Sequence, residues 1–405
     1  MKILFLSPRQ CLPVRSGAKL REYHFLRALA QRNEVTHLYF SDAGAKPLTQ
    51  KDFPFCKLVE AFPKPGAYTP WKIARGVFSS LPLSVLNYAS PAMDATVRRL
   101  TAETRFDLIH LDSIHMIQYG LAAGPGARLV YNWHNIESEA LRRYGASSHS
   151  LARRWYAGLT AGKMEALERD ILRKGFGHVV CSDRERDQLR NIVAEAPIET
   201  IQNGVDTEYF QDSGASVDPN NASGPRVVFV GSFDYYPNVE AATSFAQNIW
   251  PVIRQRIPDA TLFLVGANPT PSVQALANLP SVTVTGTVPD VRPYYGGALA
   301  AIVPLRTGGG TRLKILEAMA AGVAVVSTPL GAEGLAVTPG QDILLADPDD
   351  SAAWVDRLLL LLQSPGRRLQ LAAAGQRLVK SRYDWETLGQ TLCNTYERWL
   401  AEITK

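Results

Sequence analysis

The chain has 405 residues with a formal net charge of +5, and 46% of its residues are hydrophobic. This length exceeds one ordinary domain and predicts two, while no apolar run reaches the ~18 residues that a membrane-spanning helix needs. The four cysteines are scattered without a C-x-x-C pair, which argues against a structural zinc site and fits reduced thiols in a cytosol. The net positive charge lies in residues 1–200, which predicts that the first half faces an anionic partner.

In chain order, the first half alternates apolar strands with helical stretches. The first strand ends in a loop from Pro8 to Ser16, and a helix carrying Lys19 and Arg21 then runs from Gly17, where it could cap a phosphate. Such alternation predicts a parallel sheet with covered faces, that is, a Rossmann-like domain. The other predicted strands of this half are Val35–Phe40, Leu58–Phe62, Leu108–Leu111, Leu129–Tyr131 and Val179–Cys181.

Three further stretches of the first half stand out. The stretch 133–137 follows a strand at the carboxyl edge, where open parallel sheets bind ligands, so His134 is a candidate site residue, although a lone histidine is more often structural. The segment 62–91 mixes aromatic and basic residues and is either an acceptor- or lipid-facing loop or an excursion that covers the core. A long helix is predicted over Leu151–Lys174, with the mixed charges of a solvated amphipathic helix.

The pattern restarts after a polar stretch. Residues 211–225, rich in Ser, Asp, Asn and Gly, are predicted to link a first domain, 1–210, to a second Rossmann-like domain, 226–384. A final helix from Trp385 to Ile403 has an apolar stripe that needs a partner face. The predicted strands of the second domain are Val227–Val230, Thr261–Val265, Val282–Val284, Ala300–Val303, Val323–Val326 and Ile343–Leu345.

A glycine loop lies between two of these strands and opens a helix. Its three consecutive glycines, Gly308, Gly309 and Gly310, let backbone amides approach a bulky anion that a Cβ would exclude. The helix that opens after Thr311 directs its free N–H groups to the same place. The sequence therefore predicts a phosphate site here, with an ordinary tight loop of a parallel sheet as the alternative.

Charged side chains on this helix support the prediction. Arg312 and Lys314 place positive charge where it opposes the helix dipole, which indicates an anion between them. Glu317, one turn further on, is available to accept hydroxyl hydrogen bonds from a ribose or a sugar. The alternative is that all three are solvated surface residues.

Five motifs occur in the second half: Asn203–Asp206, Val228–Ser232, Gly286–Val288, the glycine loop continued by Glu317–Gly322, and Gly331–Gly334. In this order and spacing they resemble the retaining nucleotide-sugar glycosyltransferases of the GT-B architecture. The similarity is closest to the bacterial group 1 transferases associated with exopolysaccharide and cell-envelope assembly. The first half matches more loosely, through Ser16-Gly17 and His134–Glu137.

The resemblance implies an α/β fold with two facing Rossmann-like domains and a C-terminal helix, residues 385–405, that crosses back to the first domain. The acceptor would bind the first domain and the donor the second. Glu317 would hold the donor ribose, Thr287 and Val288 would meet the base, Gly17 would lie beside the diphosphate, and His134 would lie close to the transferring sugar. The predicted catalytic residues are His134, Arg312 and Lys314, and the predicted donor-binding residues are Gly17, Thr287, Val288, Gly308, Gly309, Gly310, Thr311 and Glu317.

The chain departs from the family pattern at three charged positions. The family commonly has a glutamate where this chain has Gly309, an arginine at Ser232 and a lysine at Asn238. The loss of two cations beside a diphosphate is costly, because an unscreened dianion in a closed cleft is strongly unfavourable. We expect a replacement from Arg312 and Lys314, with Arg306 as a third candidate.

The implied reaction is glycosyl transfer from a nucleotide-diphosphate donor to an acceptor hydroxyl with retained anomeric configuration, in bacterial polysaccharide or glycolipid assembly. No cofactor is expected, and no metal is predicted, because the cationic helix terminus could take over the role of a divalent metal. A glycan or a lipid-linked molecule is the expected acceptor, and the basic first half predicts a cytoplasmic protein that attaches peripherally to the inner face of an anionic membrane. Nucleic acid is not expected as a partner, because the basic residues are dispersed.

Three alternatives remain open at this point. The missing charges are compatible with a catalytically silent nucleotide-sugar-binding protein, and a sugar-nucleotide epimerase shares the two-domain architecture. A dinucleotide-dependent oxidoreductase is less favoured, because neither domain opens with a G-x-G-x-x-G fingerprint.

Overall fold

A computed structural model describes residues 1–14, 16–66, 69, 76, 78–147, 150–212, 224–308 and 312–403, with the side chains of 147, 151–153 and 403 left aside. The described chain forms two compact units. The first unit comprises Met1–Gln202 together with Leu388–Lys405, and the second unit comprises Asn203–Thr387. Most of the predicted linker, and residues 67, 68, 70–75 and 77 of the aromatic, basic segment 62–91, lie outside the described residues.

A parallel sheet forms the centre of the first unit. Its inner strands are apolar on both faces, as expected when helices cover both sides of a parallel sheet. The strands are β1 (Lys2–Ser7), β2 (Glu34–Ser41), β3 (Leu58–Pro63), β4 (Leu108–Leu111), β5 (Leu129–Trp133), β6 (Gly177–Val180) and β7 (Ile198–Thr200). Their order in the sheet is β3-β2-β1-β4-β5-β6-β7, so the strand order reverses between β1 and β4.

Helices connect these strands. Local sequence explains their starts: the Ser90 hydroxyl accepts a hydrogen bond from the Met93 amide, and the Ser182 hydroxyl does the same for the Glu185 amide. The helices are α1 (Gly17–Arg32), α2 (Leu83–Leu86), α3 (Pro91–Glu103), α4 (Ile117–Ala122), α5 (Glu137–Ser147), α6 (Leu151–Lys174) and α7 (Asp183–Ile192).

The second unit contains a six-stranded parallel sheet in the order β10-β9-β8-β11-β12-β13. Its strands are β8 (Arg226–Val230), β9 (Thr261–Val265), β10 (Val282–Gly286), β11 (Ala300–Val303), β12 (Ala324–Ser327) and β13 (Leu344–Leu345). Its helices are α8 (Thr207–Gln211), α9 (Tyr236–Ser244), α10 (Trp250–Arg256), α11 (Pro271–Gln274), α12 (Arg292–Gly296), α13 (Leu313–Ala320), α14 (Ser351–Gln363) and α15 (Pro365–Arg382).

The last helix, α16 (Trp385–Ile403), packs on the first unit. Its Tyr396 hydroxyl lies 2.6 Å from Nδ1 of His110 in β4, and its Cys393 thiol lies 3.5 Å from the main-chain oxygen of Ala28 in α1. Leu392 is fully buried. The apolar stripe therefore covers the first unit, and the predicted return of this helix to the first Rossmann-like fold is confirmed.

The two predicted parallel sheets are also confirmed. The predicted limits of α1, α6 and α16 agree with the structure, because each is marked by a clear apolar periodicity or a clear break. The short strand β7 was not predicted, since its three residues give no measurable alternation.

Candidate active site

Lys314 contacts Asn238 at the carboxyl end of β8. Lys314 lies in the first turn of α13, and its ammonium donates a hydrogen bond of 2.5 Å to Oδ1 of Asn238 in α9. The same nitrogen lies 5.0 Å from the centre of the Phe229 ring in β8. A Cβ placed on Gly231, directly after β8, would lie 3.2 Å from this ammonium. The cation of α13 therefore lies at the sheet edge where parallel sheets bind ligands.

The Asn238 amide is oriented by the backbone. Its Nδ2 donates a hydrogen bond of 2.8 Å to the main-chain oxygen of Ser232, which leaves Oδ1 for Lys314. The Ser232 hydroxyl donates a hydrogen bond of 2.6 Å to Asp234, and this bond, with a second one from Asn268, lowers the pKa of the Asp234 carboxyl. The two positions at which the resembling family has cations thus hold an amide that binds Lys314 and a hydroxyl that binds a carboxylate.

Glu317 lies one turn along α13 from Lys314. Burial raises the pKa of the Glu317 carboxyl, whereas the charge of Lys314 and a hydrogen bond from the Tyr295 hydroxyl, 3.4 Å from Oε2, act in the opposite direction. Burial also lowers the pKa of Lys314 to about 8. The site therefore places a carboxylate, which can accept hydrogen bonds from hydroxyl groups, one turn away from an ammonium.

Two arginines near the glycine loop have other partners. Arg312 precedes α13, and its guanidinium lies 3.5 Å from the main-chain oxygen of Gly308 and 3.7 Å from the carboxylate of Glu333. Arg306 pairs with the carboxylate of Asp349. Both guanidinium groups therefore already contact carboxylates, and their role at the anion site stays a prediction.

The remaining predicted donor-binding residues of the second unit follow strand ends. Thr287 and Val288 come directly after β10, with Thr287 exposed and Val288 half-buried. Gly308 has a φ of 111°, a backbone conformation that favours glycine. The structure thus places these residues on loops at the sheet edge, while Gly309, Gly310 and Thr311 lie outside the described residues.

His134 is the first residue after β5 in the first unit. Its ring nitrogen Nε2 lies 2.9 Å from the main-chain oxygen of Asp112 and 3.1 Å from Oδ2 of the same residue. His134 lines a cavity of about 170 Å³ near the point where the strand order reverses between β1 and β4, a common ligand position in such sheets. Other residues that line this cavity are Arg9, Ser113, His115, Asn135 and Glu137.

Burial shifts two titratable groups of this cavity towards their neutral forms. It lowers the pKa of His115 to about 4, and together with the charge of Glu168 it raises the pKa of Glu137. The His115 ring also lies 2.7 Å from the Ser113 hydroxyl. Hydrogen-bonding groups of reduced charge, beside the guanidinium of Arg9, suit a ligand rich in hydroxyl groups.

Gly17 is the first residue of α1. The two basic side chains that follow it do not form the predicted phosphate cap. Lys19 pairs with Asp42 at 3.1 Å, and the buried Arg21 donates a hydrogen bond of 2.9 Å to the side chain of Asn132. A diphosphate contact at this turn therefore depends on the backbone of Gly17.

Several residues of these sites were not predicted from the sequence, among them Asp112, Asn132 and Tyr295. Asp112 directly follows β4, and this position at the carboxyl edge was the signal available for it. Asn132 lies inside β5, and Tyr295 lies in the short helix α12, so neither position marks a site. Their contacts come from elements far apart in sequence.

No group of three His, Cys, Asp or Glu side chains that could hold a metal ion occurs in the part of the chain that the structure describes. A reaction without a metal or cofactor stays a prediction. Within the same residues, no helix has both the length and the apolar character needed to cross a bilayer.

Comparison with known families and proteins agrees with this arrangement. The family "Glycosyltransferase Family 4" matches residues 16–209, and "Glycosyl transferases group 1" matches residues 224–364. The phosphatidyl-myo-inositol mannosyltransferase of Mycobacterium tuberculosis is 27% identical over 320 residues, which cover 76% of this chain and 78% of that protein. The GDP-mannose-dependent alpha-(1-6)-phosphatidylinositol monomannoside mannosyltransferase of the same species is 27% identical over 337 residues, covering 77% and 81%.

Solved structures share the fold. Sucrose-phosphate synthase from Thermosynechococcus elongatus superposes with a TM-score of 0.70 at 20% identity, covering 99% of this chain and 100% of that one. HepE from Anabaena in complex with UDP-glucose gives a TM-score of 0.63 at 18% identity, covering 98% and 100%. These neighbours confirm the predicted GT-B fold class.

Proposed function

Since the chain is a glycosyltransferase with the GT-B fold, we propose that it moves a sugar from a nucleotide-diphosphate donor to an acceptor hydroxyl and retains the anomeric configuration. The observation that carries this proposal is the hydrogen bond between Lys314 and Asn238. It brings an ammonium from α13 to the position at which the resembling transferases have a lysine on another helix. The positive charge is thus kept at the same place although a different residue supplies it. This supports a diphosphate ligand there.

The chemistry proposed for this site is mainly electrostatic. As the bond between the sugar and the diphosphate breaks, negative charge grows on the leaving diphosphate and positive charge on the sugar ring. Lys314 and the free amides at the start of α13 stabilise the leaving group, and because they are already in place, no reorganisation is needed during the reaction. The retained configuration is proposed on the basis of the family resemblance.

Glu317 is proposed to bind the donor ribose. Its carboxylate accepts hydrogen bonds from the ribose hydroxyls, and Tyr295 supports this role by donating to Oε2 at 3.4 Å. Burial raises the pKa of the carboxyl, and the neighbouring Lys314 favours its ionised form. A charge-assisted hydrogen bond of this kind contributes about 1.5–3 kcal/mol.

The proposed setting is polysaccharide or glycolipid assembly, and the relatives suggest which donors to test. The mannosyltransferases have phosphatidylinositol compounds in their names, one of them also names GDP-mannose, and HepE was solved with UDP-glucose. We propose a glycan or lipid-linked acceptor. UDP-glucose and GDP-mannose are accordingly the first two donors to test.

The experiment has a binding step and a product step. A panel of nucleotide sugars is screened for thermal stabilisation, because a ligand that binds the folded state raises the melting temperature. NMR of the product formed from the best donor then gives the anomeric configuration. Inversion would contradict the retaining mechanism, and the absence of stabilisation by every nucleotide sugar would contradict the donor site.

The same assay separates the alternatives. A nucleotide-sugar-binding protein without catalysis would be stabilised by a donor but would release no nucleotide. An epimerase would form its product without an added acceptor. Release of the nucleotide that depends on an acceptor supports the proposed transferase.

We also propose that the first unit attaches reversibly to the cytoplasmic face of an anionic membrane. Phe78 is 90% exposed, and Trp155, next to the exposed Arg154, is 64% exposed. Aromatic and basic side chains together suit the interface of an anionic bilayer. Sedimentation with anionic vesicles at low salt, lost at high salt and with neutral vesicles, is the expected result; no sedimentation under any of these conditions would contradict it.

A further inference from the structure

Asp112 is fully buried and receives hydrogen bonds from two site residues. The Asn132 amide donates a hydrogen bond of 2.7 Å to Oδ1, and Nε2 of His134 lies 3.1 Å from Oδ2 and 2.9 Å from the main-chain oxygen. Both acceptors near Nε2 are oxygens that carry no proton to donate when the carboxyl is ionised. The proton of a neutral His134 is therefore favoured on Nε2.

The orientation of Asn132 is itself fixed. Nε of Arg21 donates a hydrogen bond of 2.9 Å to its Oδ1, and Nη1 of the same guanidinium donates to the main-chain oxygen of Ile201 at 2.7 Å. Because a guanidinium is only a donor, the Asn132 oxygen must face Arg21 and the Asn132 amide group must face Asp112. Oδ1 of Asp112 is thus held as an acceptor.

A second branch reaches Asp112 from α16. Burial raises the pKa of the Tyr396 hydroxyl and lowers the pKa of His110, so the phenol keeps its proton and the imidazole is neutral. The phenol therefore donates to Nδ1 of His110 across 2.6 Å, and the His110 proton is on Nε2, which lies 3.5 Å from Oδ1 of Asp112. Tyr396 of α16 thus favours the His110 tautomer whose Nε2–H faces the carboxylate of Asp112.

The carboxylate is ionised although it is buried. Burial opposes its ionisation, but the neighbouring imidazoles of His134 and His110 hold the pKa of Asp112 well below its usual value. Burial and the charge of Asp112 raise the pKa of Glu22, its buried neighbour, well above its usual value. One negative charge is therefore placed at Asp112 rather than shared equally between the two carboxyls.

We propose that Asp112 is a positioning residue that fixes the tautomer of His134, with the proton on Nε2 and the lone pair on Nδ1. Nδ1 has no hydrogen-bond partner among the residues that the structure describes, and His134 lines the cavity of the first unit. Nδ1 is then a hydrogen-bond acceptor for a hydroxyl of the transferring sugar. This last step rests on the proposed function, whereas the tautomer itself does not.

An Asp112→Asn substitution tests this inference. The new side chain keeps its oxygen towards the Asn132 amide, so its own amide group faces Nε2 of His134. The side chain then presents a donor to Nε2, and we expect the imidazole proton to move to Nδ1 although the main-chain oxygen of residue 112 still accepts at 2.9 Å. We expect turnover to fall about 100-fold or more, as expected for a histidine held in the wrong tautomer, with little change in donor affinity.

The tautomer is measured directly by NMR of protein labelled with 15N-histidine, at a pH at which His134 is neutral. A His134→Gln spectrum identifies the His134 signals. In the wild-type protein we expect a protonated Nε2 and an unprotonated Nδ1, and in Asp112→Asn the reverse. Asp94→Asn, an exposed carboxylate of the same unit, is the matched control and should leave both spectrum and turnover unchanged.

The outcomes are distinguishable. A wild-type His134 with its proton on Nδ1 overturns the proposal even if Asp112→Asn does not fold, and so does an unchanged tautomer in a folded Asp112→Asn protein. A reversed tautomer with unchanged turnover supports the positioning role and contradicts the proposed contact between Nδ1 of His134 and the transferring sugar. A reversed tautomer with reduced turnover and unchanged donor affinity supports both.

Discussion

The ammonium of Lys314 donates a hydrogen bond of 2.5 Å to Oδ1 of Asn238, a residue 76 positions earlier on another helix. Neither residue alone indicates a phosphate site. Asn238 supplies only an amide, and the sequence around Lys314 is also compatible with a solvated helix residue. Together they place a cation at the end of β8.

Lys314→Met removes the charge and keeps most of the side-chain length. We expect the affinity for a nucleoside diphosphate to fall at least tenfold, because a charge-assisted hydrogen bond contributes about 1.5–3 kcal/mol. Arg312→Ala should have a smaller effect, since its guanidinium contacts Gly308 and Glu333. Isothermal titration calorimetry measures both, with the exposed Lys380→Met as the control. A larger loss in Arg312→Ala would identify the arginine as the main diphosphate ligand.

Donor binding should weaken as the pH rises through about 8. Burial lowers the pKa of Lys314 to about 8, and the diphosphate binds the charged form, so the affinity is highest below this pH and falls above it. Lys314→Arg, which does not titrate in this range, should remove the dependence. Calorimetry from about pH 7 to 9 gives the comparison, and an equal fall in the two proteins would assign the pH effect to another group.

The stability of the empty protein should change in the opposite direction. The lowered pKa means that the fold disfavours the charged form of Lys314. Between the folded pKa of about 8 and the higher unfolded value, the unfolded chain binds more protons, so this residue's contribution to the free energy of unfolding rises with pH. Urea denaturation of the wild type and Lys314→Met over this range measures the difference, and parallel curves would show that Lys314 is not buried in solution.

Glu317→Gln tests the ribose contact. The substitution keeps size and helix propensity but loses the charged acceptor, so we expect donor affinity or turnover to fall about tenfold. Steady-state kinetics with the identified donor measure this, and the exposed Glu397→Gln serves as the control. Unchanged kinetics in a folded variant would remove Glu317 from the donor site.

Leu392→Ala tests the docking of α16. Leu392 is fully buried in the first unit, so its truncation should lower the free energy of unfolding by about 2–5 kcal/mol. Urea denaturation measures this, with the exposed Glu397→Ala as the control on the same helix. A loss as small as that of the control would mean that α16 does not pack on the first unit in solution.

The sequence predicted the fold well because its signals are local. The apolar periodicity of α16 and the strand–loop–helix pattern around α13 can be read within one window of residues. The strand β7 was too short for this, with Ile198 as its only apolar residue. Elements with weak local signals appear only when neighbouring strands pair with them.

The candidate site could be predicted only in part. The motifs led to His134, Lys314 and Glu317, because glycine loops and strand ends are common ligand positions in parallel sheets. The contact between Lys314 and Asn238 depends on two helices brought together by the sheet, and the contacts around Asp112 depend on β4, β5, α1 and α16. These contacts join residues that are far apart in the chain. The spacing of motifs along a single sequence therefore does not reveal them.

The most direct test of the central claim exchanges the two partners. In Lys314→Asn the ammonium is lost, and in the double variant Asn238→Lys/Lys314→Asn it is supplied from α9, as in the resembling family. Calorimetry with UDP and GDP should show at least a tenfold loss for the single variant and recovery of most of the affinity in the double variant. A double variant that binds no better than Lys314→Asn, or a single variant that binds like the wild type, would contradict the claim that this ammonium holds the diphosphate.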